Sequence, residues 1–514
     1  MKRRYMYISA LQIFTTVAAL RNKLLLIAAG RPSCCSRCGS PDVSPHCAFA
    51  FADGILRSTS TRGRRAGGRA SVCVGGEHSH CSAYSRGQTR TSKRRYSHIC
   101  RLFDGSPSLA EHESINLGEF TEADRQQLLQ RVLVNAHLLR DGDSALDYEK
   151  GDGVHPIQLD GVYASETLGR GFCNWVFKVT PKPSSLIVGD DDNDKSAVVV
   201  VKVFSDLARV RVPHNILGSI DVLASDCCIG PQVMHRGTDG IVMEYIDGTV
   251  LTKEDVHGIA IAKDGGISDN AKFGDGRLLC EKIGVKLAQL HGTPIPSNSP
   301  IANEVDNMLW RTLDAMLDFV GEDGPIPEAV LEAGWTHDLL CREVQTMKQT
   351  LDALDLPQVL CHGDFKPSNI VVVNDDSSGC SSGVGEIVLI DYELSGPGYR
   401  GFDFYKLFRT ADPSRQNGDN MAAFVRSYLR STDKREKDAS STIGSARVEQ
   451  VLAEMKLFEP LTWLEAGIFF LFAAKGDPTQ TVRWEKLALD RFSNFDASKG
   501  RFQANLEQYF KAMS

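Results

Sequence analysis

The chain has 514 residues, of which 42% are hydrophobic and 24% are charged, and its formal net charge is −7 at pH 7. This length allows two or three domains, and the composition is that of a soluble globular protein. The charge is unevenly spread, because the first 110 residues carry 18 Lys and Arg against 4 Asp and Glu, whereas the other residues carry 40 against 61. A basic segment therefore precedes an acidic remainder.

Residues 1–111 form this basic leader, which is rich in Arg, Ser, Gly and Cys and has no sustained helical or strand periodicity. Its apolar runs, residues 5–20 and 24–29, are shorter than the roughly 18 to 20 residues of a membrane span, so no stable span is predicted. The acid-poor, Arg- and Ser-rich composition suits an organellar transit segment, and the alternatives are a disordered or misassigned extension and a signal anchor. We expect a cytoplasmic protein, with leader-directed organelle targeting as the alternative.

The cysteines do not form a disulfide framework. Cys35 and Cys38 have the two-residue spacing of a zinc ligand pair, but structural zinc usually requires a second regular pair. Other potential ligands in the leader lack that spacing: His46, Cys47, Cys73, His78, His80 and Cys81. The seven later cysteines are scattered, as expected for reduced thiols. No aromatic interleaving or recognition motif accompanies the basic residues, so no nucleic-acid partner is expected.

Helical spacing of apolar residues predicts a helix from about residue 121, and β-branched runs predict strands over 161–180 and 197–204. The turn in the first strand region contains Gly169, Gly171 and Asn174. Glycines there let backbone amides approach phosphate oxygens. About thirty residues later Lys202 lies on the apolar strand, the order expected of a phosphate-binding lysine.

Residues 278–291 form an amphipathic helix that ends before two prolines, and its His291 is expected to be a packed structural histidine. Two apolar strands follow, within residues 360–373 and 387–393, joined by a surface loop over 374–385.

Each of these two strands carries chemistry-bearing residues: Asp364, Asn369 and Asp391. Phosphoryl transfer requires a carboxylate that orients the acceptor hydroxyl and oxygen ligands that hold magnesium against nucleotide phosphates. An ordinary β-hairpin with surface carboxylates would explain the strands but not the spacing. The pattern therefore predicts a phosphotransferase centre.

This pattern, His-x-Asp-x4-Asn followed by Ile-Asp-x-Glu, resembles that of the eukaryotic-kinase-like small-molecule kinases. The resemblance implies that Asp364 is the catalytic base and that His362 orders its loop. It also implies that Asn369 and Asp391 are Mg²⁺ ligands, with Glu393 a second metal ligand or a contact behind the metal.

Residues 399–403 look like the corresponding segment of the choline/ethanolamine kinase family, and the resemblance covers about residues 161–495. It implies that Arg400 and Asp403 brace the catalytic loop. It also implies that main-chain groups near three consecutive residues take the adenine edge: Glu244, Tyr245 and Ile246.

Kinase-like small lobes pair the phosphate-binding lysine with a Glu on a helix. Residues 213–224 contain no Glu, and their one acidic residue is Asp221. Either Asp221 takes that part, or phosphate and metal alone position Lys202.

In this family the acceptor binds through groups just after Arg-Gly-Phe-Asp and on a late tryptophan-bearing helix. The first stretch here has two cations, Lys406 and Arg409, and no acid. The late helix, residues 461–475, matches in position. The acceptor-binding candidates are therefore Tyr399, Trp463, Glu465 and Phe469, and core packing is the alternative for the helix residues.

We therefore expect an α+β, two-lobed protein-kinase-like fold, with an antiparallel small lobe over 112–248 and a mainly helical large lobe over 249–514. It would use ATP and Mg²⁺ to phosphorylate the hydroxyl of a small amino alcohol, choline or ethanolamine, for phospholipid head-group synthesis. A homodimer is left open. The alternatives are another kinase of the aminoglycoside phosphotransferase-like group and a catalytically silent nucleotide-binding protein.

Overall fold

The computed structural model describes residues 122–136, 163–170, 173–181, 198–259, 273–322, 326–374, 384–432, 443–477 and 480–514. The leader with its cysteine cluster, Gly171 and most of the predicted loop after residue 374 lie outside the described residues.

The strands are β1 (Tyr163–Arg170), β2 (Asn174–Pro181), β3 (Val199–Phe204), β4 (Val233–Arg236), β5 (Gly240–Glu244), β6 (Gly248–Val250), β7 (Gln358–Cys361), β8 (Ile370–Val373), β9 (Ile387–Leu389) and β10 (Gly396–Tyr399). The helices are α1 (Glu122–Asn135), α2 (Asp206–Arg211), α3 (Ser219–Asp226), α4 (Lys253–His257), α5 (Arg277–His291), α6 (Pro300–Glu304), α7 (Met308–Glu322), α8 (Glu328–Glu332), α9 (His337–Asp352), α10 (Arg400–Phe408), α11 (Gly418–Thr432), α12 (Ser445–Lys456), α13 (Glu459–Gly476) and α14 (Thr481–Met513).

The first five strands form one sheet in the order β1-β2-β3-β5-β4, and every pairing is antiparallel. Side chains alternate across a strand, so one face of β3 packs its valines beneath α1 in a small core of their own. The opposite face carries Val200 and Lys202 toward a cavity. The predicted antiparallel small lobe is confirmed, and this alternation places its lysine.

The remaining lobe is mainly helical, and its helices and short strands bury one continuous apolar core. Ser445–Gly476 is long and apolar enough to cross a membrane, but 89% of its most apolar window is buried inside the protein. This burial is what a core helix of a globular protein shows.

Two small sheets position the catalytic loop. One has the order β6-β8-β9 and the other pairs β10 with β7. Gly363 follows β7 with a φ of 78°, and a Cβ there would collide with the carbonyl oxygen of Leu394. Only glycine therefore fits this turn without displacing the neighbouring chain.

Candidate active site

Asp403 anchors the catalytic loop from its place on α10. Its carboxylate is fully buried and accepts the backbone N–H groups of His362 at 2.7 Å and Gly363 at 3.0 Å. Nε2 of His291 lies 3.1 Å from the same carboxylate, and Nδ1 of His291 lies 3.0 Å from the Tyr428 hydroxyl. Asp403 thus fixes the start of the catalytic loop and contacts His291, the histidine that was predicted to be structural.

Arg400 braces the helix that carries Asp403. It forms a bidentate ion pair with Glu454 on α12, with Nε–Oε1 at 2.8 Å and Nη2–Oε2 at 2.5 Å. His362 is also buried, and its Nε2 donates to the Ile390 carbonyl at 3.0 Å. The three predicted supporting side chains therefore join the catalytic loop to the strands and helices behind it.

Asp364 lies between two lysines. Its carboxylate is 2.7 Å from Nζ of Lys366 and 2.9 Å from Nζ of Lys406. The amide nitrogen of Asn369 donates to its backbone carbonyl at 2.9 Å and to its carboxylate at 3.2 Å. Burial alone would raise the pKa of Asp364, but the two lysines outweigh burial and hold that pKa well below its usual range. The carboxylate is therefore ionised at neutral pH and aimed by three donors.

Lys202 does not pair with the helix acid that the sequence suggested. Its Nζ is 2.5 Å from Asp391 and 3.5 Å from Glu393, and within the described chain no ion pair joins it to Asp221. Asp221 is buried nearby, and burial raises its pKa. Carboxylates after β9 therefore contact the lysine in this structure, and Asp221 adds a more distant attraction.

Glu393 sits behind these groups and is held by cations and an amide. Arg211 on α2 approaches it at 2.5 Å, and the side-chain amide of Asn174 donates to it. Asn174 in turn accepts the backbone N–H of Ser205 at 3.3 Å. Glu393 therefore ties the start of β2 to the catalytic strands, which matches a contact behind the metal better than a metal ligand.

The donor set between Asp391 and Asn369 fits a hard cation. The side-chain nitrogen of Asn369 donates to Asp364, so the side-chain oxygen of Asn369 is left as an acceptor for a cation. Asp391 has a φ of 70°, an uncommon conformation that costs about 1 to 3 kcal/mol and turns a side chain that is 36% exposed into the cavity. An amide and a carboxylate oxygen are ligands that Mg²⁺ accepts.

A cavity of about 640 Å³ contains these groups. Its sheet-side wall is apolar and includes Val176, Val200 and Met243, together with Glu244, Tyr245 and Ile246. Glu244 pairs with Gln232 through its backbone, and the Tyr245 N–H reaches the Val198 carbonyl at 3.4 Å. The Ile246 N–H has no hydrogen bond to the described chain. Gly169 is the next-to-last residue of β1.

The acceptor-binding candidates divide into two groups. Glu465 and Phe469 line the cavity, and Glu465 forms an ion pair with Lys406 at 3.2 Å. Trp463 is buried and does not line it. Tyr399 faces a separate cavity, where its hydroxyl bonds Asp352. The structure therefore brings two of these four residues to the catalytic carboxylate.

Several cationic side chains of the site were not among the predicted site residues: Arg211, Lys366, Lys406, Arg409 and Arg491. Lys366 could have been chosen, because it lies inside the catalytic motif two residues after Asp364. Lys406 and Arg409 were noticed as a departure and given no role. Arg211 and Arg491 have no local sequence signal, since packing alone brings their segments to the cavity.

Comparison with known proteins agrees with this geometry. The family model described as "Choline/ethanolamine kinase" matches residues 166–496. "Ethanolamine kinase 1" of Mus musculus is 25% identical over 334 residues, covering 62% of this chain and 80% of that protein. "Choline/ethanolamine kinase" of Homo sapiens is 23% identical over 359 residues, covering 66% and 78%.

Among solved structures, a Plasmodium vivax ethanolamine kinase superposes with a TM-score of 0.48 at 19% identity, covering 69% of this chain and 87% of that one.

Proposed function

Because this chain belongs to the choline/ethanolamine kinase family, it is an ATP-dependent small-molecule kinase, and we propose that it phosphorylates the hydroxyl of choline or ethanolamine. Mouse and human relatives bear those activities in their names. The observation that carries the proposal is the convergence of Asp364, Asn369, Asp391 and Lys202 on one cavity. The product would be a phosphorylated head group for phospholipid synthesis.

The apolar end of the cavity suits adenine, and the free N–H of Ile246 offers one hydrogen bond to its edge. Lys202 lies between this end and the catalytic loop, so its ammonium group is placed to contact the phosphates of the nucleotide. Burial alone would lower the pKa of Lys202, but Asp391 and Glu393 outweigh it and raise that pKa, so the lysine is charged. Asn369 and Asp391 would hold Mg²⁺, which when bound neutralises phosphate charge.

Asp364 is placed to accept a hydrogen bond from the acceptor hydroxyl and then its proton. The hydroxyl oxygen forms a bond to the γ-phosphorus while the bond from that phosphorus to the bridging oxygen breaks, and ADP leaves with the electron pair. Because its pKa is depressed, Asp364 is a weak base, and its main contribution is to orient the hydroxyl. Lys406, which binds Asp364, limits how far that carboxylate can rotate.

The test is ADP release by the full-length protein with Mg²⁺, ATP and a panel of choline, ethanolamine, aminoglycosides and sugar amines. Asp364→Asn should abolish turnover while nucleotide affinity, measured by calorimetry, stays within a few-fold, because the carboxylate lies beyond the nucleotide. Asp338→Asn, an exposed change on α9, is the matched control and should keep full activity.

Turnover confined to the aminoglycosides or sugar amines would keep the mechanism and overturn the acceptor. Nucleotide binding without turnover of any acceptor would favour a silent nucleotide-binding protein. Near-normal turnover by Asp364→Asn would remove that residue from its assigned role.

A further inference from the structure

Two aromatic rings of α13 already contact guanidinium groups, Phe469 in the cavity wall and Trp463 buried outside it. Cζ of Arg409 lies 4.8 Å from the centroid of the Trp463 ring, and Cζ of Arg491 lies 5.6 Å from it. The Phe469 ring has Cζ of Arg211 at 5.5 Å. A quaternary ammonium is usually recognised by free aromatic faces. These two rings instead stack against the chain's own cations.

Two carboxylates of the cavity are also partly neutralised. Lys406 contacts both Asp364, at 2.9 Å, and Glu465, at 3.2 Å, so one ammonium group is shared between two acids that line the cavity. Glu465 keeps one oxygen outside that ion pair. An acceptor amine can therefore still find a carboxylate, although the surrounding field is positive.

Two of the cations have weak or distant counter-charges. Within the described residues Arg409 has no carboxylate within 4.0 Å and donates to the Thr462 carbonyl. Burial, with Arg491 adding repulsion, lowers the pKa of Arg409, and the more distant carboxylates of Glu465 and Asp364 only partly oppose this shift. Arg491 pairs with its half-exposed sequence neighbour Asp490, and its buried Nε has no hydrogen-bond partner. A partly buried cation with little counter-charge nearby is stabilised by a ligand that supplies one.

Arg211 adds a third guanidinium to the same cavity. It is 3% exposed, bonds Glu393 through one nitrogen, and leaves its Nε buried without a partner. Two arginines that line the cavity, Arg211 and Arg491, therefore each have a buried Nε that lacks a hydrogen-bond acceptor.

We propose that the preferred acceptor is a zwitterionic amino alcohol, in which a carboxylate accompanies the hydroxyl and the amine and binds Arg409 and Arg491. This inference rests on the phosphoryl transfer of the proposed function and replaces choline and ethanolamine, which have no carboxylate, by a carboxylate-bearing analogue as the preferred acceptor. Guanidinium groups match carboxylates bidentately. The hydroxyl lies at Asp364, the amine at Glu465 and the carboxylate at the arginines. The transfer itself is unchanged, since the carboxylate takes no part in bond making and the hydroxyl proton leaves through Asp364 to solvent.

The experiment compares kcat/KM of the full-length protein for two matched pairs, ethanolamine with L-serine and choline with carnitine. L-serine adds a carboxylate to ethanolamine, and carnitine adds a carboxymethyl group to the carbon that bears the hydroxyl of choline, which makes that hydroxyl secondary. The proposal expects the carboxylate-bearing member of at least one pair to be preferred by tenfold or more. This wild-type comparison decides the question without any variant.

Arg409→Met should then reduce the preference by about tenfold to a hundredfold, the range of a charge-assisted hydrogen bond, mainly through KM. Arg409→Lys keeps the charge but loses the planar guanidinium, so its preference for the carboxylate-bearing acceptor should lie between those of the wild type and Arg409→Met. Such an intermediate preference would show that the loss in Arg409→Met is not a folding defect. Arg483→Met removes an exposed arginine that stacks on Trp484 at 4.9 Å outside the cavity, and should leave the preference unchanged.

Turnover of ethanolamine or choline without a preference for the carboxylate members would overturn this inference and leave the proposed function standing. A loss in Arg409→Met that is equal for all acceptors, with a raised KM for ATP, would assign Arg409 to the nucleotide and also overturn it. Silence with both pairs would overturn the proposed function itself.

Discussion

Removing Arg400 should destabilise the protein far more than removing an exposed arginine. Arg400 is 8% exposed and its partner Glu454 is 3% exposed, and the two are joined by contacts of 2.8 and 2.5 Å. Arg400→Met leaves a buried carboxylate with neither counter-charge nor donor. Breaking such a pair from one side costs about 3 to 5 kcal/mol. That loss is a large share of the roughly 5 to 15 kcal/mol that stabilises a domain.

A double-mutant cycle separates the pair from its surroundings. Arg400→Met with Glu454→Met removes both charges, so most of the loss should be recovered. The control is Arg277→Met, because Arg277 and Glu281 form an i,i+4 pair at 3.3 Å with side chains 61% and 35% exposed. Removing that exposed pair should cost less than about 1 kcal/mol.

The assay is urea unfolding followed by tryptophan fluorescence for the wild type and all variants. A single-variant loss below about 1 kcal/mol would refute the reasoning that burial makes this pair costly to break. A double variant as unstable as the sum of its single variants would show that the two side chains are not coupled.

Three further outcomes are expected. The pKa of Asp364 is depressed, so its carboxylate becomes protonated only as pH falls through that low value. Lys366→Met should raise the pKa of Asp364 and move the acid limb of the kcat/KM profile to higher pH. An acid limb that does not move would contradict the pairing of Lys366 with Asp364. Glu393→Gln leaves Arg211 buried without its ion pair and should cost about 3 kcal/mol in urea unfolding, whereas an unchanged midpoint would show that Arg211 is otherwise compensated. A chain of residues 112–514 should stay soluble and active, and loss of folding on truncation would contradict the proposed domain boundaries.

Local patterns made much of the fold and the catalytic centre predictable. The alternation of β3 directs Lys202 into the cavity, and the spacing of Asp364, Asn369 and Asp391 brings them together because β8 and β9 are adjacent strands. Amphipathic spacing predicted α5, which the structure places at Arg277–His291. These features depend on short-range geometry that a sequence shows directly.

The acceptor end was less predictable because it is assembled from distant segments. Arg491 comes from α14 and Arg409 from the end of α10, and both meet Trp463 on α13. The sequence could not show that Arg211 would stack on Phe469 and so occupy a ring predicted to bind an ammonium group. Long-range packing also assigned Tyr399 to a second cavity.

The carboxylate partners of Lys202 show why a missing motif can mislead. The helix of residues 219–226 lacks the expected Glu, which left either Asp221 or phosphate and metal alone to position Lys202. Asp391 and Glu393, nearly 190 residues away, supply the charge instead. No local pattern shows such a substitution.

The most direct test of the central claim is ³¹P NMR of the full-length protein with Mg²⁺, ATP and ethanolamine. The account predicts a new phosphomonoester resonance that grows in step with ADP and is absent with Asp364→Asn. ADP accompanied only by inorganic phosphate, or a phosphomonoester that persists with Asp364→Asn, would contradict it.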